Sequence, residues 1–372
     1  MKVALVHDHL AQDGGAEKVL KVLTEMFPDA PIYTLLYEKK NADKYYKNKT
    51  IETSIIQKMP GGVKHYQWYM PFMPMAVEFF DLTQFDLVIS DTSSFAKGVI
   101  TSPDSLHICY CHTPTRYLWS DTHSYIKELK YNKYFKKLIS LVLNYIRMWD
   151  RLAADRVDKY IANSETVQKR IKKYYRRDSR VIYPPVETDK FEIASEKYSG
   201  EPYFLAGSRL TPYKRLDIVI EAFKNTNSKL KIFGDGVDRK RLEKISEGAN
   251  NIEFLGRVDQ SELTELYQHC QAYINPQVED FGITPIEAMA CGRPVLALRE
   301  GGATETLEEE KTGLFFEEQT PEAIREAISR FYSYDFDPYY IRQHAQKFSL
   351  DRFQRELRNF LVQNYPQLKG KI

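Results

Sequence analysis

The chain has 372 residues, too many for one typical core and enough for two, and its 43% hydrophobic and 28% charged content is that of a globular protein. Its net charge of +2 favours no partner class, but residues 1–185 hold 28 Lys and Arg against 20 Asp and Glu, and the rest 25 against 31, which points to different partners for the halves. No run approaches the roughly 20 apolar residues that span a bilayer, the start MKVALVHDHL reads as a strand rather than a leader, and Cys109, Cys111, Cys270 and Cys291 lack metal-ligand spacing and read as reduced core residues of a cytosolic protein.

In chain order, Val3 to Val6 is a short apolar strand, followed by the loop His7 to Asp13, Gly14-Gly15, and a helix from Ala16 to Phe27. A strand, a glycine pair and a helix bring backbone close to a phosphate; a tight turn that merely needs glycine fits equally. Further strands are expected at Ile32 to Leu36, Leu87 to Ser90, Val99 to Ile100 and His107 to Cys111. The alternation implies a mostly parallel sheet with helices on both faces. Residues 59–80 crowd aromatics and methionines between prolines. They read either as a loop and short helix packed on the core or as an apolar lip for lipid or a greasy acceptor.

Beyond the strand at His107 to Cys111 come His112, Thr113, Arg116, Tyr117 and Trp119. Ligands of open α/β sheets bind beyond the carboxyl ends of strands, which makes His112 and Arg116 site candidates. Tyr125 to Arg180 carries 16 Lys and Arg against 6 Asp and Glu, mixed with Tyr, Phe, Leu and Ile. A basic amphipathic helix of this kind suits an anionic membrane surface, a nucleic acid, or only solvent. Lys159 to Asn163 is a strand, Asn163-Ser164 can cap the helix Glu165 to Tyr175, and Pro184-Pro185 marks the linker.

A second alternating series follows, with strands at Tyr203 to Ala206, Lys229 to Phe233, Ile252 to Leu255, Ala272 to Ile274 and Val295 to Leu298, and a helix at Leu216 to Asn225. The expected division is 1–182 and 183–350, with the amphipathic helix 351–372 packing on either domain. Arg209 and Lys214 can both reach phosphate oxygens. Gly256, Arg257 and Val258 form another strand-end loop, as do Gly301 and Gly302. The most informative stretch is VEDFGITPIEAMACGRPVLA, Val278 to Ala297. Pro285 suits the first turn of a helix, whose free N–H groups make an anion site. Glu279 and Glu287 flank it, and carboxylates beside a phosphate suit hydroxyl recognition on a sugar or ribose; an ordinary loop and helix with solvated acids fits equally.

GSRLTPYKR (Gly207 to Arg215), EDFGITPIEAMACGRPV (Glu279 to Val295), GGATE (Gly301 to Glu305) and GGAE (Gly14 to Glu17) together resemble retaining glycosyltransferases of family 4. YCHTPTRYLW (Tyr110 to Trp119) resembles the bacterial mannosyltransferase-like branch. The resemblance implies the GT-B fold: α/β, two Rossmann-like domains facing across a cleft, the first for the acceptor and the second for the donor. It implies that Arg209 and Lys214 bind the diphosphate and that Glu279 reads hydroxyls of the donor sugar. Phe281, Gly282 and Ile283 would offer backbone N–H groups, Glu287 would hold the ribose, and Gly15 would approach from the first domain. His112 matches the family's active-site histidine near the donor sugar. Arg116, Tyr117 and Trp119 are the acceptor candidates.

The expected activity is therefore transfer of a hexose, first mannose, from a nucleotide diphosphate sugar to a lipid-linked or saccharide acceptor in surface polysaccharide synthesis. GDP-mannose is the favoured donor, with UDP- and dTDP-sugars open, and no metal or other cofactor is expected. The expected location is the inner face of the cell membrane, peripherally, with no nucleic-acid partner. Rival expectations are a nucleotide-sugar epimerase or other enzyme on the same fold, and a non-catalytic nucleotide-sugar or nucleic-acid binder.

Overall fold

The computed structural model describes residues 1–11, 14–129, 131–196 and 199–370. Its chain divides into a first unit, Met1–Pro184 with Gln354–Ile372, and a second, Pro185–Phe353. Asp13, the end of the expected first loop, lies outside the described residues.

The first unit is built on seven parallel strands: β1 (Val3–His7), β2 (Ile32–Thr34), β3 (Ile51–Thr53), β4 (Leu87–Thr92), β5 (Leu106–Cys111), β6 (Lys159–Ala162) and β7 (Ser179–Val181), in the order β3-β2-β1-β4-β5-β6-β7. β1 and β4 are buried along their whole length, as expected of strands covered on both faces. The helix Gly15–Met26 buries Val19, Leu20, Val22 and Leu23, one face of a 3.6-residue period. The helix Lys133–Ala153 starts where the Asn132 side chain accepts from the N–H groups of Tyr134 and Phe135, and it buries Leu143, Ile146, Asp150 and Ala153. Ser164 caps Glu165–Arg170 by accepting from Val167 N–H, and the next turn, Ile171–Tyr175, widens to a π-helix.

The second unit has six parallel strands: β8 (Tyr203–Gly207), β9 (Lys229–Phe233), β10 (Ile252–Gly256), β11 (Tyr273–Asn275), β12 (Val295–Leu298) and β13 (Gly313–Phe316), ordered β10-β9-β8-β11-β12-β13. Both sheets wind outward from a first strand, then restart on its other side. Each therefore has a switch point: between β1 and β4 in one, and between β8 and β11 in the other.

Several elements differ from expectation. Val99 and Ile100 form no strand; a turn of 3₁₀-helix, Ala96–Gly98, runs into them, and Val99 is buried as a core residue instead. β3 and β7 are half-exposed edge strands without an apolar run, so they escape a hydrophobicity reading, whereas β13 is a short buried apolar run that the sequence reading left out. The helix expected near Pro285 begins at Ile283, with Gly282 at its N-cap and Pro285 still within the first turn. The last helix, Leu350–Asn364, buries the expected stripe Phe353, Leu357, Phe360 and Leu361.

Candidate functional site

In the second unit, the chain leaves β8 through Ser208 to Arg215 and leaves β11 through Pro276 to Gly282. These two loops diverge at the switch point, and their functional side chains meet there. Lys214 Nζ is paired with Glu279 Oε1, which also accepts from Gln277 Nε2 at 3.0 Å. The pair is partly open, with side-chain exposures of 12% and 22%. An ion pair that retains solvent contact can exchange partners: the ammonium toward an anion, and the carboxylate toward hydroxyl groups.

The loop bearing Glu279 is fixed by backbone. Gly302 N–H donates to Glu279 O at 2.8 Å, and Gly301 forms a parallel bridge with Glu279. Gly301 has φ +65°, and a Cβ there would lie 2.3 Å from Glu279 O; one on Gly302 would lie 2.4 Å from Phe281 O. The glycine pair therefore clamps the acidic loop, a role that needs no phosphate. Gly282, at φ +94°, turns the chain into the helix Ile283–Ala290. Phe281 is buried and edge-on to Phe348. Glu287 is buried on that helix, with Tyr267 OH donating to its Oε2 at 3.4 Å. Tyr273, one strand-end away, donates to Gly207 O at 2.6 Å and so ties β11 to the start of the cationic loop.

Arg209 shares that loop with Lys214, and Leu210 N–H donating to Asp235 O at 3.0 Å holds it against the turn after β9. Gly256, Arg257 and Val258 sit at the end of edge strand β10, two strands from β8. Arg257 is highly exposed there, 4.0 Å from Asp235.

The first unit gathers a different set at its switch point. The register of β1 and β4 places His7 beside Asp91. His7 Nδ1 lies 2.9 Å from Asp91 Oδ2, and His112 Nε2, just past β5, lies 2.6 Å from Asp91 Oδ1. His7 Nε2 lies 3.9 Å from Glu17, on the helix that Gly15 begins. Burial opposes a charge on His7, but the hydrogen bond to Asp91 and the nearby Glu17 carboxylate outweigh it and push its pKa up to about 10. Burial likewise opposes the charge on Asp91, yet His112 and His7 hold its carboxyl below the usual range. Asp8 is buried and accepts from Thr92 Oγ1 and from the N–H groups of Ser93, Phe95 and Ala96 at 2.7–2.9 Å. These backbone bonds, with nearby His7 and His9, overcome desolvation and keep Asp8 ionised.

A cavity of about 320 Å³ opens at the carboxyl ends of β1, β2, β4 and β5. Asp8, His9, Ser93 and Thr113 give it a polar side, while Tyr66, Met70 and Met73 of the aromatic-methionine stretch close the apolar side. Arg116 and Tyr117 line it too. Arg116 Nε donates to Asp121 at 2.7 Å, and Tyr117 OH meets Ser94 Oγ at 2.9 Å, with burial pushing its phenol up. Trp119 is not in the lining: its indole N–H donates to Asp150 Oδ2 at 2.7 Å, and its ring stacks on Tyr174 at 5.0 Å.

Sequence reasoning missed His7, Asp8 and Asp91, and with them the buried ion pair of Lys97 and Asp150 that anchors Trp119. A signal did exist for the first three: ionisable residues stand at or just past the ends of the apolar runs of β1 and β4, at the sheet edge where ligands bind. Among the described residues, no group of three or more His, Cys, Asp or Glu is placed to hold a metal ion, and no helix is long and apolar enough to cross a membrane.

Residues 187–348 match the family described as Glycosyl transferases group 1, and residues 13–190 match Glycosyltransferase Family 4. The chain is 22% identical over 373 residues to the alpha-1,3/1,6-mannosyltransferase ALG2 of Dictyostelium discoideum, covering 84% of this chain and 85% of that one. It is 29% identical over 171 residues to a GDP-mannose-dependent alpha-(1-6)-phosphatidylinositol monomannoside mannosyltransferase of Mycobacterium tuberculosis, covering 39% and 44%. The match to an uncharacterized glycosyltransferase of Methanocaldococcus jannaschii spans about half of that relative, 52%. Among solved structures, the fold matches Anabaena HepE in complex with UDP with a TM-score of 0.73 at 18% identity, over 98% of this chain and 100% of that one.

Proposed function

The chain belongs to glycosyltransferase family 4, and from that premise we propose that it moves a hexose, mannose first, from a nucleotide diphosphate sugar to a lipid-linked or saccharide acceptor with retention at the anomeric carbon. The observation that carries this reading is the partly open Lys214–Glu279 pair at the switch point of the second unit. The incoming diphosphate takes Lys214 and Arg209, and the released Glu279 carboxylate accepts from sugar hydroxyls. Glu287 takes the ribose, and the N–H groups around Phe281, Gly282 and Ile283 take sugar and phosphate oxygens.

The cations neutralise charge that builds on the departing diphosphate, the role a divalent ion plays elsewhere. The acceptor hydroxyl attacks the face that the phosphate leaves. The bond from the anomeric carbon to phosphate breaks, the bond to the acceptor oxygen forms, and the hydroxyl proton passes to the departing phosphate oxygen. His112 serves the sugar being transferred, and the cavity lined by Tyr66, Arg116 and Tyr117 takes the acceptor. The mannosyltransferases among the relatives support GDP-mannose as first donor; the UDP complex of HepE supports a nucleotide sugar in general.

The test is product analysis with GDP-, UDP-, dTDP- and ADP-sugars, each with and without a lipid-linked saccharide acceptor. Sugar transferred to acceptor from GDP-mannose, with unchanged anomeric configuration, is the expected result. Epimerised sugar nucleotide formed without acceptor would overturn it.

A membrane surface is the second part of the proposal. Trp68, Phe72, Met75 and Phe79 are exposed at helical spacing, and so are Tyr134, Leu138, Leu141, Tyr145, Met148 and Leu152. Lys133 and Lys137 lie on the latter stretch. An exposed apolar stripe edged by lysine suits an anionic lipid surface at the inner membrane face, where a lipid-linked acceptor resides. Binding to anionic vesicles should weaken as salt rises. Equal binding to neutral vesicles, or self-association without vesicles, would remove this part.

A further inference from the structure

We propose that Asp91 is a positioning residue that fixes which ring nitrogen of His112 is presented to the sugar in transfer. The inference rests on the assignment of His112 to the transfer site. Asp91 is fully buried at the end of β4 and offers one oxygen to each of two imidazoles, Oδ2 to His7 Nδ1 at 2.9 Å and Oδ1 to His112 Nε2 at 2.6 Å. The two contacts join residues far apart in sequence because β4 lies between β1 and β5 in the sheet.

A carboxylate only accepts hydrogen bonds, so the hydrogen lies on His112 Nε2. In the neutral ring, Nδ1 then carries the lone pair. Nδ1 is therefore the nitrogen left to meet a sugar or acceptor hydroxyl. The ring plane is set as well, edge-on to Tyr110 at 5.2 Å, whose own hydroxyl is anchored on Ile182 O at 2.9 Å. His7 completes the device. It is held between Asp91 and Glu17 and occupies Asp91 Oδ2, which leaves Oδ1 for His112. Glu17, His7, Asp91 and His112 thus form a line of four groups, buried at its centre and partly open at both ends.

Asparagine at position 91 has a single carbonyl oxygen and an amide that donates, so it cannot accept separately from both rings. Asp91→Asn should lower kcat on the order of 10–100-fold, the scale for losing a partner that orients a functional histidine. KM for the nucleotide sugar should stay within about twofold, since uniform binding is untouched. The double variant Asp91→Asn/His112→Ala should be no slower than His112→Ala alone, because Asp91 acts through His112. Independent, multiplying losses, or wild-type kcat in Asp91→Asn beside an inactive His112→Ala, would overturn the proposal. Full turnover in His112→Ala would overturn the site assignment beneath it, so the two failures are distinguishable. A second measurement needs no variant that must fold: nitrogen-15 shifts of His112 in the native chain should show Nε2 protonated and Nδ1 bare, and the opposite tautomer would refute the positioning role.

Discussion

The two units share a strand order around their switch points, yet they use the same location in opposite ways. In the first unit the charges at that edge are interior and committed. His7 and Asp91 are almost wholly buried, and Asp8 is saturated by four groups on the neighbouring loop. In the second unit Lys214 and Glu279 keep solvent contact and hold mainly each other. Topology fixes where functional groups gather; burial decides whether they serve as scaffold or as ligand contacts. A committed network can orient one outward-facing group, while an exchangeable pair can take up and release a charged substrate.

The largest expected effect probes the interior side of this contrast. Asp150 is buried on the helix Lys133–Ala153 and accepts from Lys97 Nζ, Thr115 Oγ1, Trp119 Nε1 and Tyr175 OH. Asp150→Ala leaves the Lys97 ammonium buried and unpaired, and denaturant unfolding should show a loss of about 3–5 kcal/mol. A loss below about 1 kcal/mol would break the comparison, since the first unit would then tolerate an orphaned charge. Next in size is Lys214→Ala, which should cut turnover at least about 100-fold while changing unfolding free energy by less than about 1 kcal/mol. The reverse result, stability lost and turnover kept, would make this pair scaffold like the others.

The comparison is sharpened further through pH. His7 titrates near 6.5 when unfolded and near 10 when folded, so its stabilising contribution is complete below about 6.5 and disappears as pH rises through about 10. The difference in thermal midpoint between the native chain and His7→Gln should therefore narrow steadily over that window. A constant difference would mean that His7 is not held as a cation.

Much of this was legible in the residues. Lys229–Phe233 and Val295–Leu298 announce themselves as apolar runs of strand length and form as expected. Lys214 and Glu279 stand in dense local motifs, so their chemistry can be read before their contact is known. Asp91 has no such motif. Its partner His7 lies 84 residues away, and only the strand order brings them together. Trp119 misled for a related reason: aromatic rings near a candidate histidine suggest a binding platform, but a buried carboxylate elsewhere in the chain claims its N–H. Edge strands β3 and β7 were invisible because half-exposed strands carry little apolar signal.

The clamp of Gly301 and Gly302 on the loop Glu279–Phe281 has a consequence for redesign. Contact is backbone against backbone, so no compensating side chain can relieve a substitution at either glycine. Libraries aimed at changing what this loop recognises gain nothing by varying these two positions. The acidic loop and its glycine strap form one inheritable cassette, to be exchanged between homologues as a pair, with diversity placed on the side chains that the cassette displays.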